Sequence, residues 1–109
     1  MITCTRTNSE NDDFKQLVAE LDMELAVIGG KDHAFYSQYN KIDAIKDVIV
    51  AYKEGIPVGC GAIKEYMPGT AEVKRMYVPA NRRNAGIASR VLQELETWAR
   101  ELNYTRCVL

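Results

Sequence analysis

The chain has 109 residues, of which 47% are hydrophobic and 27% charged, and its formal net charge is −1. That length and balance predict a single soluble globular domain over residues 1–109, with a modest core. They argue against a nucleic-acid binder or a protein held on anionic lipid, since either would carry a basic surplus.

Residues 2–7 alternate and are rich in Ile and Thr, which predicts a first strand. Ser9 and Asp12 have capping-box spacing ahead of a helix that carries Phe14, Leu17, Val18, Leu21, Leu25 and Ile28 on one face. Gly29 and Gly30 are expected to end it. Asp32 could cap a short helix bearing Phe35, Tyr36 and Tyr39, closed by Asn40, with a further turn through Ile42 and Ile45. Residues 47–53 read as a strand, Glu54-Gly55 as a tight turn, and residues 56–66 as the returning strand. Pro57 suits a strand end, and Gly59 and Gly61 either leave room for a close neighbour or mark a bulge. Pro68-Gly69 makes the next turn and residues 70–78 the next strand, completing an antiparallel meander.

A Pro-, Asn- and Gly-bearing loop follows, then a helix expected from about Asn84 to Leu102 with Gly86 in its first turn. Its apolar stripe is Ile87, Val91, Leu95, Trp98 and Leu102, and the pairs Arg90/Glu94 and Glu96/Arg100 are spaced to stabilise its wet side. Asn103 suits a cap, and residues 104–109 read as a last strand, parallel to residues 70–78 by a crossover. The fold class is α/β (α+β), with a mixed sheet.

No membrane-length apolar run is present, and the first residues lack the apolar core of a signal peptide, which implies a cytoplasmic location. Cys4, Cys60 and Cys107 have no metal-ligand spacing and read as small buried residues, and His33 is the single histidine. Neither a metal site nor a Cys/His or Ser/His/Asp nucleophile is expected.

The loop is where chemistry is expected. It hands backbone N–H groups to a helix start, where they have no internal partner and the helix dipole adds partial positive charge. Arg82 and Arg83 stand just before it. Such a place suits a phosphate or pyrophosphate.

Arg83-x-x-Gly86-x-Ala88, between a strand and a helix, resembles the Arg/Gln-x-x-Gly-x-Gly/Ala signature of the GNAT acyltransferases. The resemblance covers residues 2–109 and implies a GNAT-like fold that uses acetyl-CoA as cosubstrate, without a metal. It places the pyrophosphate on the backbone of Arg83, Asn84, Ala85, Gly86, Ile87 and Ala88. Asn84 and Ala85 depart from the family's usual Gly and Lys or His, which should weaken rather than abolish phosphate binding, and the proline sits one place early, which implies a different loop entry. The resemblance places the pantetheine arm along Met76, Tyr77 and Val78, in a gap beside residues 104–109, with the thioester carbonyl facing a strand N–H. Glu72, six residues before Val78, matches the general-base glutamate of histone-type members. It would share a strand face with Lys74, Met76 and Val78; the other reading is a solvated residue paired with Lys74. Phe35, Tyr36 and Tyr39 would form the acceptor wall or simply core, and Arg82 a phosphate contact or a solvated charge. The family's late tyrosine acid has no counterpart, Tyr104 being too early.

The resemblance also implies that the domain is incomplete at its C-terminus, so that residues 104–109 form an open edge inviting a second copy. A truncated product, completion between copies, and a degenerate binding module are the alternatives. The expected function is transfer of acetyl from acetyl-CoA to a primary amine of a small molecule or protein by direct attack. The alternatives are a non-catalytic acyl-CoA-binding or interaction module, or a fragment needing a partner chain.

Overall fold

A computed structural model of the chain describes residues 1–29 and 45–109. Ile2–Thr7 forms β1 and Asp12–Gly29 forms α1. Asn11, not Ser9, caps α1, its Oδ1 accepting the Phe14 N–H at 2.9 Å. The physical reason lies one step upstream. Asn8 accepts the Glu10 N–H on its side chain at 2.8 Å and the Asn11 N–H on its carbonyl at 3.1 Å. Residues 8–11 are thereby held in a turn of their own, Ser9 is buried in it, and the helix starts after Asn11.

The meander follows as β2 (Asp47–Lys53), β3 (Ile56–Met67) and β4 (Thr70–Tyr77). Glu54 and Gly55, with φ of 53° and 79°, both take the left-handed conformation that a two-residue hairpin between twisted strands requires. A single 3-10 turn over Ala80–Arg82 leads to α2 (Ile87–Glu101), and β5 (Arg106–Val108) completes a sheet of order β1-β2-β3-β4-β5. All neighbours are antiparallel except β4 and β5, which run parallel as the crossover expectation requires. The anticipated Asn103 cap is present. Asn103 has φ 73°, its N–H donates to Arg100 O at 3.0 Å, and the Tyr104 N–H donates to Ala99 O at 3.0 Å. That is a Schellman ending. The expectations for Gly30, Phe35, Tyr36, Tyr39, Asn40 and Ile42 lie outside the described residues, whereas Ile45 is buried.

The sheet separates two cores. Phe14, Leu17 and Val18 of α1 pack with Val48, Val50, Cys60, Ala62 and Tyr77 on one face. Ile87, Val91, Leu95 and Ala99 of α2 pack with Ile49, Ala51, Val58, Ile63, Val73 and Val78 on the other. Leu25, expected in the α1 stripe, is exposed, and so is Leu102 at the end of α2. Arg90 pairs with Glu94 at 3.1 Å, but Arg100 turns to the Thr97 hydroxyl at 3.4 Å instead of Glu96. At the far end Arg6 clasps Glu101 at 2.7 and 2.8 Å and lies 5.0 Å over the Trp98 ring, tying β1 to α2.

The close neighbour anticipated for Gly59 and Gly61 is α2. A Cβ on Gly59 would stand 2.7 Å from Ile87 Cγ2. One on Gly61 would stand 2.5 Å from Met76 Sδ and 2.9 Å from Leu95 Cδ1. Gly61→Ala is therefore expected to overpack this layer and cost about 1–3 kcal/mol of stability. Urea unfolding of both proteins measures it, and an unchanged midpoint would mean that α2 shifts freely on the sheet.

Candidate functional site

β4 is not a regular strand. Ala62 pairs with Lys74 while Cys60 pairs with Tyr77, so three steps on β4 face two on β3. The extra residue is Arg75, whose φ of 57° is left-handed. This is a β-bulge, and it reverses the alternation of side chains beyond it. Ala71 and Val73 face α2, so Glu72 and Lys74 face the α1 side; after the bulge Met76 and Val78 face α2 and Tyr77 faces α1. The expectation that Glu72, Lys74, Met76 and Val78 share one face is corrected accordingly: Glu72 and Lys74 lie opposite Met76 and Val78.

Arg75 itself enters the α1 side, where its side chain is 6% exposed and Nη1 donates to Asp22 Oδ1 at 3.1 Å. Cys60 Sγ donates to the carbonyl of Arg75 at 3.4 Å, which holds the bulge from the neighbouring strand. Burial pushes the Cys60 thiol up to about 12, and burial likewise raises Cys4 and Cys107. None of the three cysteines is a ready thiolate nucleophile.

β5 pairs with β4 only at Thr70, Ala71 and Glu72. Beyond that point the β5 side of β4, including the backbone of Met76, Tyr77 and Val78, has no strand partner among the described residues. Glu72 stands at the mouth of this opening. It pairs in register with Lys64 on one side and Val108 on the other, and its Oε1 lies 3.7 Å from Lys74 Nζ. Both side chains are partly open, 28% for Glu72 and 29% for Lys74.

At the top of β4 the chain turns through Pro79 into the 3-10 turn, where Arg82 N–H donates to Pro79 O at 2.8 Å and Arg83 N–H to Ala80 O at 3.4 Å. Asn84 and Gly86 then take left-handed conformations, φ 67° and 77°. Gly86 is the N-cap of α2, so the helix begins three residues later than the sequence periodicity suggests. A left-handed residue followed by right-handed ones turns consecutive N–H groups toward one side. Among the described residues no acceptor takes the N–H of Asn84, Ala85, Gly86, Ile87, Ala88 or Ser89. The first intrahelical bond is Arg90 N–H to Gly86 O at 3.1 Å. A cavity of about 270 Å³ opens here, lined by Val78 and residues 82–84 and 86–89.

The two arginines differ in what already holds them. Arg83 is engaged throughout: Nε donates to Val78 O at 2.8 Å, Nη2 donates to Glu24 at 3.0 and 3.1 Å, and the guanidinium lies 5.9 Å from the Tyr77 ring centre. With its N–H given to Ala80, it braces the loop against β4 and α1. Arg82 lines the cavity and makes no ion pair among the described residues. Ser89, absent from the predicted donor set, extends it by one N–H; the shift of the helix start to Ile87 brings it in, because the first three helical N–H groups are free. Among the described residues no cluster of His, Cys, Asp or Glu could hold a metal ion, and no helix is long and apolar enough to cross a membrane.

Residues 11–109 match the family model described as Acetyltransferase (GNAT) family. The chain is 32% identical over 111 residues to an IAA acetyltransferase of Azospirillum brasilense, covering 99% of this chain and 72% of that protein. The fold resembles the ribosomal-protein-alanine N-acetyltransferase of Brucella melitensis biovar Abortus 2308, with TM-score 0.72, 21% identity, and coverage of 100% of this chain and 79% of that one. It also resembles N-acetylglutamate synthase of Neisseria gonorrhoeae, complexed with coenzyme A and N-acetyl-glutamate, with TM-score 0.70, 18% identity, and coverage of 98% and 24%. The mixed sheet, the helix on each face and the family match agree with one another. The chain belongs to the GNAT family of acetyltransferases.

Proposed function

We propose that this domain transfers an acetyl group from acetyl-CoA to a primary amine, of a small molecule or a protein, by direct attack. The observation that carries the reading is the row of unpartnered N–H groups from Asn84 to Ser89 above the open edge of β4. A pyrophosphate needs several converging donors, and no bulky side chain stands over Gly86. Asn84, Ala85, Gly86, Ile87 and Ala88 hold it through backbone, with Ser89 and the side chain of Arg82 added; Arg83 acts by bracing the loop. The unpaired backbone of Met76, Tyr77 and Val78 takes the two amides of the pantetheine arm as a strand would take a peptide. Support for the acyl donor comes from the coenzyme A carried by the Neisseria gonorrhoeae synthase.

Glu72 is proposed as the base. The bulge sets it on the α1 face at the mouth of the opening, so the amine approaches from that side. The amine nitrogen forms a bond to the thioester carbon as its proton passes to Glu72, directly or through water, and the carbon–sulfur bond breaks to release the thiolate, which takes a proton from solvent. A strand N–H at the open edge stabilises the oxyanion. With all three thiols held protonated, an acyl-cysteine route has no support among these residues. The proposed partners are the amine acceptor and, through the open sheet edge, a second copy of this chain; the proposed compartment is the cytoplasm.

A second reading, a non-catalytic acyl-CoA-binding module, is favoured by one observation, the 3.7 Å pairing of Glu72 with Lys74. Two measurements decide. Calorimetry should show saturable CoA binding that Gly86→Val weakens at least about tenfold, because a β-branched residue does not hold the φ of 77° on which the loop's N–H row depends; a folded wild type without CoA binding overturns both readings. Turnover with a panel of amines should fall about 100-fold in Glu72→Gln while CoA affinity is retained. Binding without turnover in the wild type selects the module.

A further inference from the structure

A second cavity, of about 250 Å³, lies on the other side of the loop, lined by Ile2, Lys53, Asn81, Ala85 and Ile87 together with Met1 and the two arginines. Residues 82, 83 and 87 line this cavity and the first one alike, so the loop is the ridge between them. Its polar lining is one-sided. Lys53, Arg82 and Arg83 are cationic, Asn81 offers an amide, and no carboxylate lines it. Arg83 is neutralised by Glu24, but Lys53 and Arg82 form no ion pair among the described residues. The remaining wall, Ile2, Ala85 and Ile87, is apolar. Two cations that converge on a partly apolar hollow, next to a row of free N–H groups, suit a ligand with two anionic groups joined by a short sugar.

We propose that this cavity is a phosphomonoester subsite, in which Lys53 takes the 3′-phosphate of the CoA nucleotide while the pyrophosphate lies across the ridge on the free N–H groups, with Arg82, which lines both cavities, adding charge to each. The inference rests on the CoA reading above and adds a residue from outside the loop. Lys53 ends β2, and the type I′ turn at Glu54 and Gly55 fixes where that strand stops. A phosphomonoester carries close to two negative charges at neutral pH, so loss of either cation is felt there more than at a singly charged phosphodiester. Lys53 is exposed and Arg82 half-buried, so the interaction is modest and salt-sensitive.

The test compares CoA with 3′-dephospho-CoA by calorimetry at low and high salt. The wild type should prefer CoA about tenfold, consistent with one or two charge-assisted contacts, and the preference should shrink in high salt. Lys53→Gln should lose most of the preference by weakening CoA alone, leaving 3′-dephospho-CoA binding unchanged, and Lys53→Arg should restore it. Lys46→Gln removes the same charge from the opposite end of β2 and should have no effect. Equal binding of the two nucleotides by the wild type overturns the subsite and leaves the CoA reading standing. So does an equal loss for both in Lys53→Gln. Failure of the wild type to bind either nucleotide overturns the CoA reading and the subsite with it.

Discussion

α2 lies where it does because β3 carries no side chains at Gly59 and Gly61. Any Cβ there would run into Ile87, Leu95 and Met76 at contacts well under van der Waals distance. The helix can therefore sit low on the sheet, and its first residue, Ile87, is buried against β3. Seating Ile87 fixes the height and direction of the N-terminus of α2. The free N–H groups then fall at the top of β4, at the end of the strand whose edge is open. Donors for an anion and an edge for an extended amide chain come into line through that one packing decision.

The bulge at Arg75 is the second constraint, and it works through parity. A strand without it would put Glu72 and Met76 on one side. With one extra residue, the part of β4 below the bulge presents a carboxylate and an ammonium to the α1 side, and the part above seals the α2 core with Met76 and Val78. The left-handed backbone at a non-glycine costs roughly 1–2 kcal/mol. The Arg75–Asp22 pair and the Cys60 hydrogen bond to the Arg75 carbonyl offset part of that cost. Arg75 and Arg83 are also rungs of one ladder. Each reaches from β4 or its loop to an acid in the second half of α1, Asp22 for Arg75 and Glu24 for Arg83. Movement of α1 is thereby linked to the loop that ends in Gly86.

What was legible in the sequence follows from which signals are local. The meander, its turns, the strand bounds at 47–53 and the parallel last strand were readable because Glu54-Gly55, Pro68-Gly69 and the β-branched runs set them within a few residues. The α2 stripe was readable for the same reason. The bulge was not. Its signal would be a Gly, Asn or Asp in a strand, and Arg75 gives none; the register that creates it is decided by β3, which is remote in sequence. The cap at Asn11 was missed because Ser9 has the right spacing, and only the Asn8 turn decides against it. The sequence pattern starts α2 early because Asn84 and Ala85 fit a helix, whereas the left-handed residues at 84 and 86 hold the chain out of it. The motif could not say which arginine lacks a partner among the described residues, since Glu24 lies 59 residues away.

These departures bear on one question the motif leaves open, namely how the proposed anion site would work in a loop with Asn84 and Ala85 where the resemblance implies a glycine and a basic residue. A site made of side chains would lose a charge at Ala85 and a conformation at Asn84. Here the donors are backbone N–H groups, and Ala85 supplies one as well as any residue would. Asn84 reaches φ 67° without glycine, which its short polar side chain makes tolerable. The remaining need of the proposed site is for net positive charge near the phosphates. Arg82 meets it from inside the loop, and Arg83, already committed to Glu24 and Val78, contributes rigidity. On the proposed reading, the sequence differences at 84 and 85 leave the row of backbone N–H groups in place, and the charge comes from neighbouring positions.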